Sequence, residues 1–185
     1  MSSTTYSPKQ IGARPQAAFH AHRKAYFLIA LAVLLTDQFT KWLIVVNLLL
    51  HDSFRVIPDF FQITHVENQG AAFGLFSDSP SIWKADALIL FSMLALVVVS
   101  VLLWKNSHRF TWGGFGLALI LGGALGNLWD RVFQGHVVDF LDFYLGNAHW
   151  PAFNIADSAI VVGAFLLVGE ILFAKTEADP QSNAR

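Results

Sequence analysis

Four long apolar runs dominate the pattern of hydrophobic and polar positions along this 185-residue chain. They cover residues 25–50, 85–104, 110–129 and 153–174. Each run has about the 20 residues that an α-helix needs to cross a bilayer. The sequence therefore predicts an all-α membrane protein with four transmembrane helices.

The first run could also be a cleaved signal peptide, and the two readings can be separated. The run is too long for the apolar region of a signal peptide, and it contains Asp37 and Lys41. No small-x-small cleavage site closes it. We therefore expect residues 25–50 to be a retained membrane helix.

The segment 51–82 is amphiphilic and has no run long enough to span a membrane. Aromatic and β-branched residues alternate there with polar ones, which favours short strands on or near the membrane surface. The pattern predicts a small extracytoplasmic β-like, amphipathic subdomain between the first and second helices. Ser79 and Pro80 have the character of an N-cap and a first helical residue for the second helix. Residues 131–152 are predicted to be a loop.

Composition supports the membrane assignment and excludes several classes of function. The chain is 55% hydrophobic with a mean hydropathy of +0.50, and 14% of its residues are charged, against about 25% in soluble domains. The formal net charge of −1 gives no indication of a nucleic-acid partner. The absence of cysteine excludes a thiol nucleophile, disulfides and cysteine–metal sites.

The positive charges predict the orientation of the helices. With four spans, the following basic residues fall on one side: Lys9, Arg14, Arg23, Lys24, Lys105, Arg109 and Lys175. Positive residues concentrate on the cytoplasmic side of membrane proteins. Residues 1–24 and 175–185 are thus predicted to be cytoplasmic tails of one four-span domain, residues 25–174, whose 51–82 and 131–152 connections face outward.

Two aspartates stand out because this topology places both near the outer membrane surface. Asp139 lies in the third connection, and Asp157 lies in the first turn of the fourth helix, where the helix dipole favours a carboxylate. Either residue alone could cap a helix or pair with Arg131. Two neighbouring carboxylates, however, share one proton near neutral pH. One can then activate water while the other protonates a carbonyl, as in aspartic proteases.

Other polar residues near the apolar runs have simpler interpretations. Asp37 and Lys41 are four residues apart on one helix face and are predicted to form an internal ion pair that braces the site. Asn127, Asp130 and Arg131 are predicted to end the third helix in a structural role. Asp130 and Arg131 should point towards different partners.

Asn68 and Gly70 could present amide donors and a bare backbone edge to an extended ligand. The same N-x-G pattern also occurs in ordinary turns. Asp142 is predicted to lie on the loop surface.

Rival constellations fit less well. His136, Asp139, His149 and Asp157 could be assembled into a metal site, but their spacing matches no metal motif, so we predict no metal and no cofactor. Ser158 lies inside a helix without flanking glycines, which argues against a serine nucleophile elbow.

Five short motifs lie in order among the four spans. They are DQFTK at 37–41, NQGAAFG at 68–74, GGALGNLWDR at 122–131, GHVVDF at 135–140 and FNIADS at 153–158. Each motif is weak alone, but the five in this order are specific. Together they resemble the motifs of the bacterial lipoprotein signal peptidases, also called signal peptidase II, and the resemblance covers almost all of residues 25–174.

This resemblance implies an aspartic endopeptidase of the bacterial cytoplasmic (inner) membrane, active near its outer face. The implied substrate is a prolipoprotein, cut just before a cysteine that carries diacylglycerol, within membrane lipid. Globomycin-type cyclic peptides are the implied inhibitors. Asp139 and Asp157 match the catalytic dyad. The supporting positions are Asn68, Gly70, Asp37, Lys41, Asn127, Asp130, Arg131 and Asn154.

Two hypotheses of other classes stay open at this point. A small proton-coupled transporter could use Asp37, Asp130 and Asp139, although four spans without an internal repeat argue against it. A non-catalytic membrane scaffold would leave a prolipoprotein intact.

Overall fold

A computed structural model describes residues 16–70 and 83–177, and within these ranges the chain forms four helices and a small antiparallel sheet. All four helices are long and apolar enough to cross a membrane. The predicted fold class is therefore confirmed, whereas the predicted helix start at Ser79 and Pro80 lies outside the described residues. The elements are α1 (Gln16–Asn47), β1 (Ser53–Ile57), β2 (Phe61–Asn68), α2 (Trp83–Asn106), α3 (Trp112–Phe133), β3 (Val137–Leu145), β4 (Ala148–His149) and α4 (Ile155–Glu177).

The helix boundaries differ from the prediction mainly at polar ends. Helix α1 begins at Gln16, inside the segment predicted to be a tail. Helix α3 continues to Phe133 rather than ending at 129. Its last turns remain helical because the polar side chains there have partners inside the protein.

Helix α3 is the centre of the bundle and packs against each of the other three helices. Its glycines allow this packing. A Cβ atom at Gly122 would lie 2.5 Å from the carbonyl oxygen of Ala30 on α1, and one at Gly116 would lie 2.5 Å from that of Gly163 on α4. Bare backbone at such positions lets membrane helices approach closely.

The bundle end opposite the sheet is fastened between α1 and the start of α3. The Tyr26 hydroxyl donates to the carbonyl oxygen of Arg109 and accepts the backbone N–H of Thr111, at 2.9 and 2.8 Å. Thr111 caps α3 by accepting the N–H of Gly114. These contacts hold α1 and α3 together far from the sheet.

The four strands form one antiparallel sheet in the order β1-β2-β3-β4. The prediction of a loop over 131–152 was wrong, because that segment contains strand β3. Its first four residues are all buried, so the strand lacks the alternation by which a half-buried strand is recognised. Its partner β2 is far away in sequence, with Val66 opposite Asp139. Phe153 also bridges Leu141 on β3, which brings the start of α4 beside the strand.

Asp142 is buried on β3, so its prediction as loop surface was also wrong. It is 6% exposed because its side chain lies among neighbouring strands. Gln62 Nε2 donates to Asp142 Oδ2 at 2.7 Å, and His149 Nδ1 lies 2.9 Å from the same oxygen. Asp142 therefore joins β2, β3 and β4.

Candidate active site

Asp139 and Asp157 meet at the bundle end that carries the sheet, and Asn154 links them. Asp139 lies on β3 and is 2% exposed, and Asp157 lies in the first turn of α4. Asn154 Nδ2 donates to Asp139 Oδ1 at 2.7 Å, while Asn154 Oδ1 accepts the backbone N–H of Asp157 at 2.9 Å. One buried N-capping side chain thus holds both candidate catalytic residues.

Two further asparagines donate to the carboxylates. Asn68 Nδ2 lies 2.9 Å from Asp139 Oδ2, and Asn127 Nδ2 lies 2.7 Å from Asp157 Oδ1. The Asn68 amide, a candidate for presenting donors to an extended ligand, donates here to Asp139. Its oxygen accepts the N–H of Gly70 at 2.8 Å.

The electrostatic setting of Asp139 suits it to hold a proton. The pKa of Asp139 is raised to about 7, mainly by burial and then by the nearby charge of Asp157. Hydrogen bonds from Asn68 and Asn154 and the charge of Lys41 act in the opposite direction. A carboxyl with this pKa is partly protonated at neutral pH, as a shared-proton pair requires.

The predicted ion pair between Asp37 and Lys41 is confirmed, and it belongs to a larger buried cluster. Lys41 Nζ lies 2.7 Å from Asp37 Oδ2 and also 2.7 Å from Asp130 Oδ2. All three side chains are almost completely buried. Burying a charge without a partner costs several kcal/mol, so the lysine and the two aspartates stabilise one another inside the bundle.

Gln38 was missed by sequence reasoning, although it stands beside Asp37 in the DQFTK motif. Its Nε2 donates to Asp130 Oδ1 at 2.8 Å and to the carbonyl oxygen of Gly126 at 3.3 Å. Gln38 therefore joins the middle of α1 to the last turns of α3.

Arg131 points away from Asp130, as predicted. Its Nη1 donates to the carbonyl oxygen of Asn127 at 3.2 Å, and its Nη2 reaches that of Gly70 at 3.4 Å. Arg131 thus connects the end of α3 with the turn that follows β2.

Two cavities adjoin the dyad, one at each carboxylate. Asp139 lines a cavity of about 290 Å³ together with residues 66–69 and the 151–152 segment. Asp157 lines a cavity of about 250 Å³ whose other walls are mostly apolar: Trp150, Phe153, Ser158, Val161 and Val162. Among the described residues, the pair is therefore flanked by one cavity with partly polar walls and one with mostly apolar walls.

The histidines considered as metal ligands are not gathered at the dyad. His136 Nε2 lies 3.4 Å from Glu67 Oε1, and His149 pairs with Asp142. Over residues 16–70 and 83–177, no three histidine, aspartate or glutamate residues are grouped as metal ligands. The Ser158 hydroxyl donates to the carbonyl oxygen of Asn154.

Comparison with known proteins places this chain in a family. The sequence model of the family described as signal peptidase (SPase) II matches residues 29–173. The lipoprotein signal peptidase of Solibacter usitatus (strain Ellin6076) is 47% identical over 156 residues, which are 84% of this chain and 94% of the relative. That of Francisella tularensis subsp. novicida (strain U112) is 43% identical over 153 residues, 83% of this chain and 94% of the relative.

Solved structures agree with the sequence comparisons. One bacterial membrane enzyme matches with a TM-score of 0.76 and 33% identity, covering 85% of this chain and 93% of its own. A second solved bacterial membrane enzyme matches with a TM-score of 0.71 at the same identity, covering 80% of this chain and 93% of its own. The chain belongs to the signal peptidase II family of membrane proteases.

Proposed function

We propose that this protein is a membrane aspartic endopeptidase that removes the signal peptide from prolipoproteins. It acts on precursors whose cysteine carries diacylglycerol and cuts just before that cysteine. The relatives named lipoprotein signal peptidase support the substrate class. The observation that carries the chemistry is the pairing of Asp139 and Asp157 through Asn154.

The two carboxyls take different parts in the reaction. Asp157, ionised at the positive end of α4, removes a proton from the attacking water. Asp139, in the fraction of molecules in which it is protonated at neutral pH, donates its proton to the carbonyl oxygen of the scissile peptide. When the tetrahedral intermediate collapses, the C–N bond breaks, one hydroxyl of the intermediate returns its proton to Asp139, and the proton held by Asp157 passes to the leaving amine.

The two cavities suit the two parts of such a substrate. A helical signal peptide must unwind at the cleavage site, and an unwound backbone in a membrane needs replacement hydrogen bonds. The cavity at Asp139 runs along the end of β2, where an extended chain can find polar partners. The cavity at Asp157 extends along α4 to Val161 and Val162 and accepts an apolar part of the substrate.

The same proposal includes a position in the cell. The protein lies in the bacterial inner membrane with both termini in the cytoplasm and the dyad near the outer face. The distribution of lysine and arginine supports this orientation, and the dyad shares its end of the bundle with the sheet. Globomycin-type cyclic peptides are proposed to inhibit the enzyme by occupying this site.

The test is cleavage by purified protein in lipid bilayers. A precursor with a diacylglyceryl cysteine should yield a product beginning at that cysteine, identified by mass spectrometry, and an unlipidated precursor should not. Asp139→Asn and Asp157→Asn should each abolish cleavage. Asp142→Asn is the matched control, because it changes another buried aspartate of β3 outside the dyad and should leave cleavage measurable. Full activity in either dyad variant would refute the assignment.

A further inference from the structure

An asparagine side chain has a donor end and an acceptor end, so its orientation decides whether it stabilises or repels a carboxylate. Three asparagines turn their donor ends to the dyad: Asn68, Asn127 and Asn154. In each case another donor holds the acceptor end. The orientation of each amide is therefore set by the donor that binds its oxygen.

Two of the three are oriented by the backbone. The N–H of Gly70 holds the oxygen of Asn68, and the N–H of Asp157 holds the oxygen of Asn154. A backbone N–H donates and cannot accept, so these two contacts leave only the NH₂ end for Asp139.

Asn127 differs because a charged side chain orients it. Its Oδ1 lies 3.0 Å from Lys41 Nζ, and its Nδ2 lies 2.7 Å from Asp157 Oδ1. An ammonium group has three donors and no acceptor. Turning the amide over would place its NH₂ against the ammonium and its oxygen against the carboxylate, and both contacts would become repulsive.

Asn154 also reaches the Asn127 oxygen, but more weakly. Its Nδ2 lies 3.2 Å from Asn127 Oδ1 and 2.7 Å from Asp139 Oδ1, so its shorter bond goes to the dyad. The ammonium of Lys41 is the nearer of the two donors to the Asn127 oxygen.

Lys41 is itself held in place. One carboxylate oxygen of Asp37 and one of Asp130 each lie 2.7 Å from Lys41 Nζ. Lys41 is 3% exposed. The ammonium therefore cannot rotate away from Asn127 without breaking buried ion pairs.

We propose that Lys41 is a positioning residue of the reaction: its ammonium orients the Asn127 amide so that Nδ2 donates to Asp157. This inference rests on the proposed peptidase function. In this role Lys41 contacts neither the substrate nor the reacting atoms: it acts through Asn127, in addition to the direct effect of its charge on the pKa of Asp139.

A double-mutant cycle between Lys41→Met and Asn127→Leu tests the proposal, because coupled residues give non-additive effects. The readout is kcat and KM for a diacylglyceryl prolipoprotein in lipid bilayers. Each single variant should lower kcat by about 10- to 100-fold, as expected for losing a hydrogen bond to a charged group, with KM nearly unchanged. The kcat of the double variant should lie within about twofold of the kcat of Asn127→Leu alone.

Gln38→Leu is the matched control. Gln38 lies on the same helix and contacts the same aspartate, Asp130, without a hydrogen bond to Asn127 among the described residues. In the Gln38→Leu, Asn127→Leu double variant, the fold-losses in kcat of the two single variants should multiply. This result would show that the non-additivity belongs to Lys41 and not to any change in the buried cluster.

Lys41→Met leaves two buried aspartates without a cation, which could prevent folding. The cycle is therefore repeated in an Asp130→Asn background, where the methionine variant carries the same net charge in the cluster as the natural protein. Multiplicative losses there, or a change confined to KM, would overturn the role of Lys41. If the natural protein itself fails to cleave the lipidated precursor, the proposed function fails instead.

Discussion

The carboxylate of Asp37, in the middle of α1, accepts the backbone N–H of Ala156 at 2.9 Å. The first backbone N–H groups of a helix have no partners inside that helix. At the start of α4 two of them are satisfied from elsewhere, that of Ala156 by Asp37 and that of Asp157 by Asn154. Asp37 therefore fixes where α4 begins and, with it, the position of the Asp157 carboxylate.

Cleavage should slow above about pH 7. Asp139 acts as the proton donor, and its pKa is raised to about 7, so the donor is present below that pH and lost above it. We expect kcat/KM to fall about tenfold per pH unit on the alkaline side. A profile measured from pH 5 to 9 in neutral lipid checks this, and a constant rate up to pH 9 would contradict it.

Asn68→Ala should move the alkaline limb of the pH profile, the fall in kcat/KM above about pH 7, to higher pH. The Asn68 hydrogen bond lowers the pKa of Asp139 because it stabilises the ionised carboxylate, so its removal lets Asp139 keep its proton longer. The expected shift is about one pH unit. Gln62→Ala is the control, since Gln62 also lies on β2 but donates to Asp142. An unmoved limb in Asn68→Ala would argue against Asp139 as the titrating donor.

Gly126→Ala should destabilise the protein. A Cβ atom there would lie 2.5 Å from Asp37 Oδ2, so the aspartate would have to move away from Lys41 and Ala156. The expected loss is about 1–3 kcal/mol, measured as a lower thermal unfolding temperature. Gly169→Ala is the control because a Cβ atom at Gly169 meets nothing within 4 Å. Equal stability of the two variants would contradict the close approach.

Val162→Phe should weaken substrate binding by filling the apolar cavity beside Asp157. We expect KM to rise about tenfold, equivalent to about 1.4 kcal/mol, with a smaller change in kcat. Val168→Phe is the control: Val168 is 51% exposed and Val162 is 50% exposed on the same helix, but Val168 does not line the cavity. If both variants raise KM equally, the cavity does not receive substrate.

The sequence predicted the helices well because membrane spans have a strong local signal. Four apolar runs of sufficient length identified them, and the four-residue spacing of Asp37 and Lys41 was enough to predict their ion pair. Both inferences need only residues close together in the chain.

The parts that escaped prediction depend on distant partners. Strand β3 is defined by its pairing with β2, and Asp142 is buried because Gln62 and His149 meet it there. Likewise, the motifs placed Asn127 and Asn154 near the dyad, but which end of each amide faces a carboxylate follows from contacts across three helices and a strand.

The buried cluster around Lys41 also bears on how the chain is assembled in the membrane. Asp37 and Lys41 lie on one helix, four residues apart, so α1 can enter the bilayer with its two charges already neutralising each other. Asp130 arrives later in the chain, on α3, and meets its cation only when α3 packs against α1. The order of synthesis therefore matches the order in which the buried charges find partners, and docking of α3 on α1 is the step that brings Asp130 to its cation.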